Sequence, residues 1–191
     1  MGVAAGDFTF NVWANMDIDD YDDTLDSGEF SEVDLTVSYS FDMGPVEASV
    51  GFVEYLFSAG GASTSEIFVT TGMDIGAGVS AAVELYYDID QVDDFYAVLG
   101  VGYGYDFNED LGLELGASIS CAGEDFSESY AGGTSSGLFN YNLSASVSYA
   151  VTEKFGASVN LNLSDSLDED VLPEESVDTK FYAGLGLSYS F

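Results

Sequence analysis

The chain reads as all-β: an up-and-down antiparallel transmembrane β-barrel of about ten strands, with short turns on one side and long acidic loops on the other. Three observations predict it. Apolar side chains recur with period two along nearly the whole chain, the spacing of a strand with one apolar and one polar face. Connections alternate between short and long. The alternating segments run to about 9 to 11 residues or slightly more, the length with which a tilted strand crosses a bilayer core.

The clearest segment sets Val33, Leu35, Val37, Tyr39 and Phe41 against Glu32, Asp34, Thr36, Ser38 and Ser40. The same pattern gives strands over Phe95 to Phe107, Leu111 to Cys121, Phe139 to Val151, Phe155 to Leu163 and Phe181 to Phe191. Less regular strands fill in around Phe8 to Ala14, Val46 to Phe57, Ile67 to Met73 and Val79 to Tyr87. In the third strand the apolar parity switches to Val53, Tyr55 and Phe57, which strands Glu54 on the apolar face unless a bulge near Phe52 and Val53 resets the register. Short turns are expected at 42 to 45, 74 to 76, 108 to 110 and 152 to 154, and long loops at 17 to 31, 58 to 65, 88 to 94, 122 to 137 and 164 to 179. An even strand count places both termini with the tight turns, and residues 1 to 191 form a single β-barrel domain.

A closed barrel leaves no unpaired backbone edge in lipid, whereas a soluble sandwich has shorter strands with charged side chains facing water. Here the polar face is mostly small, as in Asn140, Asn142, Ser144, Ser146 and Ser148, which suits a confined wet interior. Aromatic residues populate two belts, a feature of barrels at the two lipid interfaces. Tyr39, Phe41, Tyr105, Phe107, Tyr149, Phe155, Tyr189 and Phe191 lie near the short turns; Phe57, Tyr87, Phe95, Phe139 and Phe181 lie near the long loops.

Composition excludes several function classes. There are 35 Asp and Glu against two Lys and no Arg, a formal charge of -33, so nothing supplies the basic footprint that nucleic acid requires. Without His there is no Ser/His/Asp or Cys/His relay and no His-bearing zinc site, and the chain is expected not to be an enzyme. The single Cys121 forms no internal disulfide. A content of 47% hydrophobic residues opposes the disorder that such acidity would otherwise favour. No apolar run approaches the roughly 18 residues of a helical span. Met1 to Gly6 has neither a basic n-region nor an apolar h-region, so a signal peptide is expected to have been removed.

The last residues, Leu185-Gly186-Leu187-Ser188-Tyr189-Ser190-Phe191, resemble the terminal strand of bacterial outer-membrane β-barrel proteins of the small porin-like class. That resemblance implies a location in the bacterial outer membrane and a lipid bilayer as partner. It also implies an assembly signal at Leu187, Tyr189 and Phe191, read by the outer-membrane insertion machinery. Small members of that class pair lumenal Arg and Lys with acids, and this chain has no Arg.

Two acidic sets carry the candidate chemistry. Glu32, Asp34, Glu47, Glu84, Asp106 and Glu114 fall on the inward register and have no cationic partners, so either water reaches them or they become neutral. Rings of carboxylates favour cations through a pore, while Trp13, Phe68, Tyr86 and Tyr182 on the same register are placed to narrow it. The second set lies in the long loops: Asp17, Asp19, Asp20, Asp22 and Asp23, then Asp168, Glu169 and Asp170. Counted from Asp17, the sixth and twelfth positions are Asp22 and Gly28, so the EF-hand pattern fails. The loops are either a solvated acidic surface or a loose binder of Ca²⁺ or Mg²⁺; no other cofactor is implied.

Three readings follow: a small passive cation-preferring channel; a structural or adhesive surface barrel whose acidic loops meet divalent ions; and a soluble acidic halophile-type β-protein. Dilution from urea separates the first two from the third. A lipid-facing barrel is expected to gain β-structure by circular dichroism, and heat-modifiable migration on an unheated gel, in detergent micelles and not in plain buffer.

Overall fold

A computed structural model describes residues 1–18, 25–58, 62–177 and 180–190. Eleven strands pair in sequence order: β1 (Gly2–Ala5), β2 (Phe8–Met16), β3 (Phe30–Met43), β4 (Val46–Phe57), β5 (Thr64–Gly76), β6 (Val79–Asp88), β7 (Phe95–Asp106), β8 (Leu111–Ala122), β9 (Gly137–Ala150), β10 (Phe155–Ser166) and β11 (Phe181–Tyr189). The expected ten correspond to β2 through β11. The eleventh, β1, is four residues folded back on β2 through the Gly6-Asp7 turn, with Gly2 opposite Asn11 and Ala5 opposite Phe8. Pairing of β11 with β1 is absent among the described residues, so the sheet carries an edge at each end instead of the expected closure.

The connections alternate as expected. The turn anticipated at 74 to 76 falls two residues later, at Ala77 and Gly78, both in the left-handed region at φ 55° and 80°. That conformation matches the twist of a two-residue hairpin. The carboxylate of Asp74 accepts the Gly76 N–H at 2.7 Å and fixes the approach to it.

Direct pairing sorts side chains onto two faces. On β3 and β4, Thr36, Ser38 and Ser40 sit opposite Val53, Gly51 and Ser49, and the ladder runs from Glu32 opposite Phe57 to Met43 opposite Val46 with no shift. The bulge expected near Phe52 and Val53 is therefore not there. Val53, Tyr55 and Phe57 lie on the polar face, and Glu54 on the apolar one accepts the Ser65 hydroxyl, which satisfies its carboxylate without a change of register. Phe57 accordingly leaves the outer belt and stacks on Tyr55, with ring centres 6.3 Å apart. Register shifts occur instead at Asn15/Met16 and at Ile119/Cys121. Beyond the second shift, Phe139 joins Tyr96 and Phe126 in an aromatic cluster and is also lost from the belt.

Very little apolar surface is hidden. Among the described residues the buried hydrophobics are Ala48, Val53, Ala122, Val171 and Leu172, while Leu99, Val101, Leu143, Val147 and Val159 on mid-strand apolar positions are about half exposed. In a soluble sandwich those side chains would fill a core between two sheets.

The described residues divide into two compact units, Met1–Thr71 with Glu84–Phe95, and Gly72–Val83 with Tyr96–Phe191. In the first, the fully buried Asp88 organises the 89 to 94 loop. Its carboxylate accepts the N–H groups of Asp90, Gln91 and Val92 at 2.9 to 3.1 Å and the Thr64 hydroxyl at 2.6 Å. In the second, the helix α1 (Glu124–Ala131) ends at Gly132, whose φ of 73° lets its N–H return to Glu128. The buried Ser127 hydroxyl donates to the Val171 carbonyl, the Thr134 N–H to Asp170 at 2.8 Å, and the Ser176 hydroxyl to Ala131 at 2.6 Å. Two long loops are thereby tied together. Asp88→Ala leaves these N–H groups and the Thr64 hydroxyl without their acceptor, and is expected to destabilise the first unit by about 1 to 3 kcal/mol or more. Urea midpoints in detergent measure it.

Candidate functional site

The polar face of the first unit concentrates the carboxylates. Glu32 and Asp34 on β3 are half-buried, directly opposite Asn15 and Trp13 of β2 on one side and Phe57 and Tyr55 of β4 on the other. The Tyr55 hydroxyl donates to Glu66 Oε2 at 2.9 Å, and Glu66 is only 5% exposed. Asp34 Oδ1 is buried and has no hydrogen-bond partner. Glu84 on β6 accepts the Tyr86 hydroxyl at 2.9 Å, and the Tyr86 ring lies 5.6 Å from that of Phe68. Phe68 occupies the space over Gly51; a Cβ there would collide with the ring and stand 2.6 Å from the Val37 carbonyl. Neither Lys154 nor Lys180 falls in this unit, so no lysine stands among its acids.

Glu47 is apart from that group. It is exposed at the short-turn end of β4, opposite Asp42. Asp106 and Glu114 belong to the second unit, where they line a cleft of about 560 Å³ with Asn108, Asp110, Ser146 and Ser158. Around them the polar face is carpeted by glycine and serine in register: Gly112 opposite Ser148, Gly116 opposite Ser144, Gly156 opposite Ser188. A serine hydroxyl fills the space each missing Cβ leaves. Nearer the long loops, Asn140 donates to Ser164 at 3.3 Å, and Ser120 donates to Asn140.

The loop acids are not arranged as a metal centre. Among the described residues no group of three or more Asp, Glu or Cys is placed to hold an ion. Asp168 instead caps its own turn, its carboxylate accepting the Asp170 N–H at 3.0 Å, while the Asp17 backbone pairs with Gly28 and Glu29. Glu169 lies in the same turn. Asp19, Asp20, Asp22, Asp23 and Phe191 lie outside the described residues. Lys180 sits between Asp165 at 3.0 Å and Glu174 at 3.1 Å, and these bonds raise its pKa above the ordinary lysine value.

Sequence reading missed Tyr55, Glu66 and Asp88. A parity count would have found Glu66, because placing Ile67 and Val69 on the apolar face puts Glu66 and Phe68 on the other. The Tyr55 to Glu66 bond joins two strands and has no sequence signature.

The chain matches no protein-family model and no curated protein. In fold it is similar to small bacterial outer-membrane β-barrel porins. The solved structures it resembles include a KdgM porin in complex with disordered oligogalacturonate, at a TM-score of 0.65 and 11% identity, over 100% of this chain and 89% of that one. Another is the NanC porin, at a TM-score of 0.59 and 12% identity, over 100% and 97% of the two chains.

Tyr55→Phe removes a donor from the 5% exposed Glu66 while keeping the ring. The expected cost is about 1 to 3 kcal/mol of stability, the penalty of an unsatisfied buried acceptor. Equilibrium unfolding in detergent checks it.

Proposed function

We propose that the chain is a bacterial outer-membrane β-barrel, closed through its first and last strands, that acts as a small passive channel preferring cations. The observation that carries this reading is the half-exposed apolar face on strands of 9 to 14 residues: that surface needs lipid, and a sheet in lipid needs closure. The similarity in fold to porins supports it.

Charge supports the ion preference. The KdgM porin was captured with oligogalacturonate, a polymer of carboxylates, whereas this chain has a net charge of -33 and no Arg. Of its two lysines, Lys180 is already held by Asp165 and Glu174. A polyanion would find no basic track here. Glu32, Asp34, Glu47, Glu84, Asp106 and Glu114, all on the polar register, are read as the groups that attract cations and repel anions. The chain's chemistry is that of passage, with no catalytic role. Leu187 and Tyr189, on the apolar register of β11 and 76% and 58% exposed, are read together with Phe191 as the assembly signal met by the insertion machinery.

The test is reversal potential in a planar bilayer under a KCl gradient. The expected sign is that of potassium preference, and changing the six acids to Gln is expected to move the potential toward zero. Absence of conductance, or an ion preference indifferent to the six changes, overturns the proposal.

A further inference from the structure

In the second unit the polar side is packed like a protein interior at its long-loop end. Tyr96, Ala122 and Gly137 stand in direct register where β7, β8 and β9 meet the long loops, in the same row parity as Gly100 opposite Ser118. Onto them fold α1 and the turn after β10. Glu124 and Asp125 in the first turn and Gly132 beyond the last hold α1 to eight residues. Its Phe126 stacks on Tyr96 with ring centres 5.1 Å apart and meets the edge of Phe139 at 6.0 Å. From the other side the Val171 side chain reaches Gly137, where a Cβ would stand 3.2 Å from Val171 Cγ2. The Ser127 hydroxyl on the Val171 carbonyl joins helix to turn, so contact runs without a break from β7 to the turn after β10. Those strands are three spacings apart, about 14 Å.

An apolar core has therefore formed on the polar side. Ala122 and Val171 are almost wholly buried there, and Ser120 beneath them is 2% exposed. Toward the short turns the same side stays open, with Asp106, Ser146 and Ser158 bordering the cleft of about 560 Å³. The core is also fastened. A Cβ on Gly133 would collide with Ser127 Oγ and the Val171 carbonyl, and the Ser176 hydroxyl holds the Ala131 carbonyl at the end of α1. We propose that this packed mouth is the size filter of the channel, a fixed constriction that admits hydrated ions and single sugar units and turns away sugar oligomers. The inference rests on the channel reading above and divides its labour: the six acids choose by sign, and the mouth chooses by width. A core of interlocked rings and aliphatic side chains has no voids through which a chain of sugars could thread.

The experiment compares the full chain with two variants in planar bilayers and in liposomes that swell as glucose or maltotetraose enters. The first variant replaces residues 123–136 by Asn-Gly; Ala122 and Gly137 already face each other, so two residues close the hairpin. The second, Phe126→Ala with Val171→Ala, loosens the packing, keeps every charge, and carries the test where the first fails to fold by heat-modifiable migration. The wild-type chain is expected to admit glucose and exclude maltotetraose. Both variants are expected to admit both sugars and to carry at least about twofold more current in KCl. The reversal potential of the second variant is expected to match that of the wild type, since the six acids are untouched. A silent wild type with conducting variants also upholds the mouth as the limiting element. Maltotetraose passing the wild-type chain overturns the filter, as does a folded second variant whose current and sugar limit are unchanged or whose reversal potential alone moves; the channel stands in each case. No current from any of the three overturns the channel and the filter together.

Discussion

Backbone hydrogen bonding between neighbouring strands is the constraint on which the rest of this structure depends. Each strand meets the next in sequence, and direct opposition sends every second side chain to the same face as its partners. Once that ladder is set, the composition of each face follows. One face is Leu, Val and aromatic rings that bury almost nothing against one another; the other is Ser, Asn, Gly and carboxylates. Small residues on the polar face are part of the same constraint, since Gly opposite Ser lets the backbones pair while the hydroxyl fills the gap above the glycine.

Legibility in the sequence tracked how strictly the alternation was kept. In β8, β9 and β10 the period-two pattern runs almost without exception, and strand, face and neighbour could all be read from it. In β4 the same logic failed, because Val53, Tyr55 and Phe57 were assigned by their hydropathy to the apolar face. The ladder outweighs two or three side chains: a shift would break hydrogen bonds along the strand, whereas Glu54 needs only the Ser65 hydroxyl to be accommodated where it stands. The four-residue β1 was too short to show a period at all. Glu66 and Asp88 were hidden for another reason, since their partners lie on other strands and loops and nothing local announces a hydrogen bond from Tyr55 or Thr64.

Charge is distributed unevenly between the two units. The second unit holds both lysines, and Lys180 is fastened to Asp165 and Glu174 where the long loops meet the strands. The first unit has carboxylates and no lysine. Exposed charges are screened over about 8 to 10 Å in physiological salt, farther than the roughly 5 Å between adjacent strands, so carboxylates on neighbouring strands repel one another across this surface.

That surface explains why aromatic rings stand among the acids. A carboxylate beside a ring is less hydrated than one in open water, and its attraction for a cation is correspondingly stronger. Tyr55 and Tyr86 give their hydroxyls to Glu66 and Glu84 while the Tyr86 ring packs on Phe68, so the aromatic residues both satisfy these carboxylates and cover them from water.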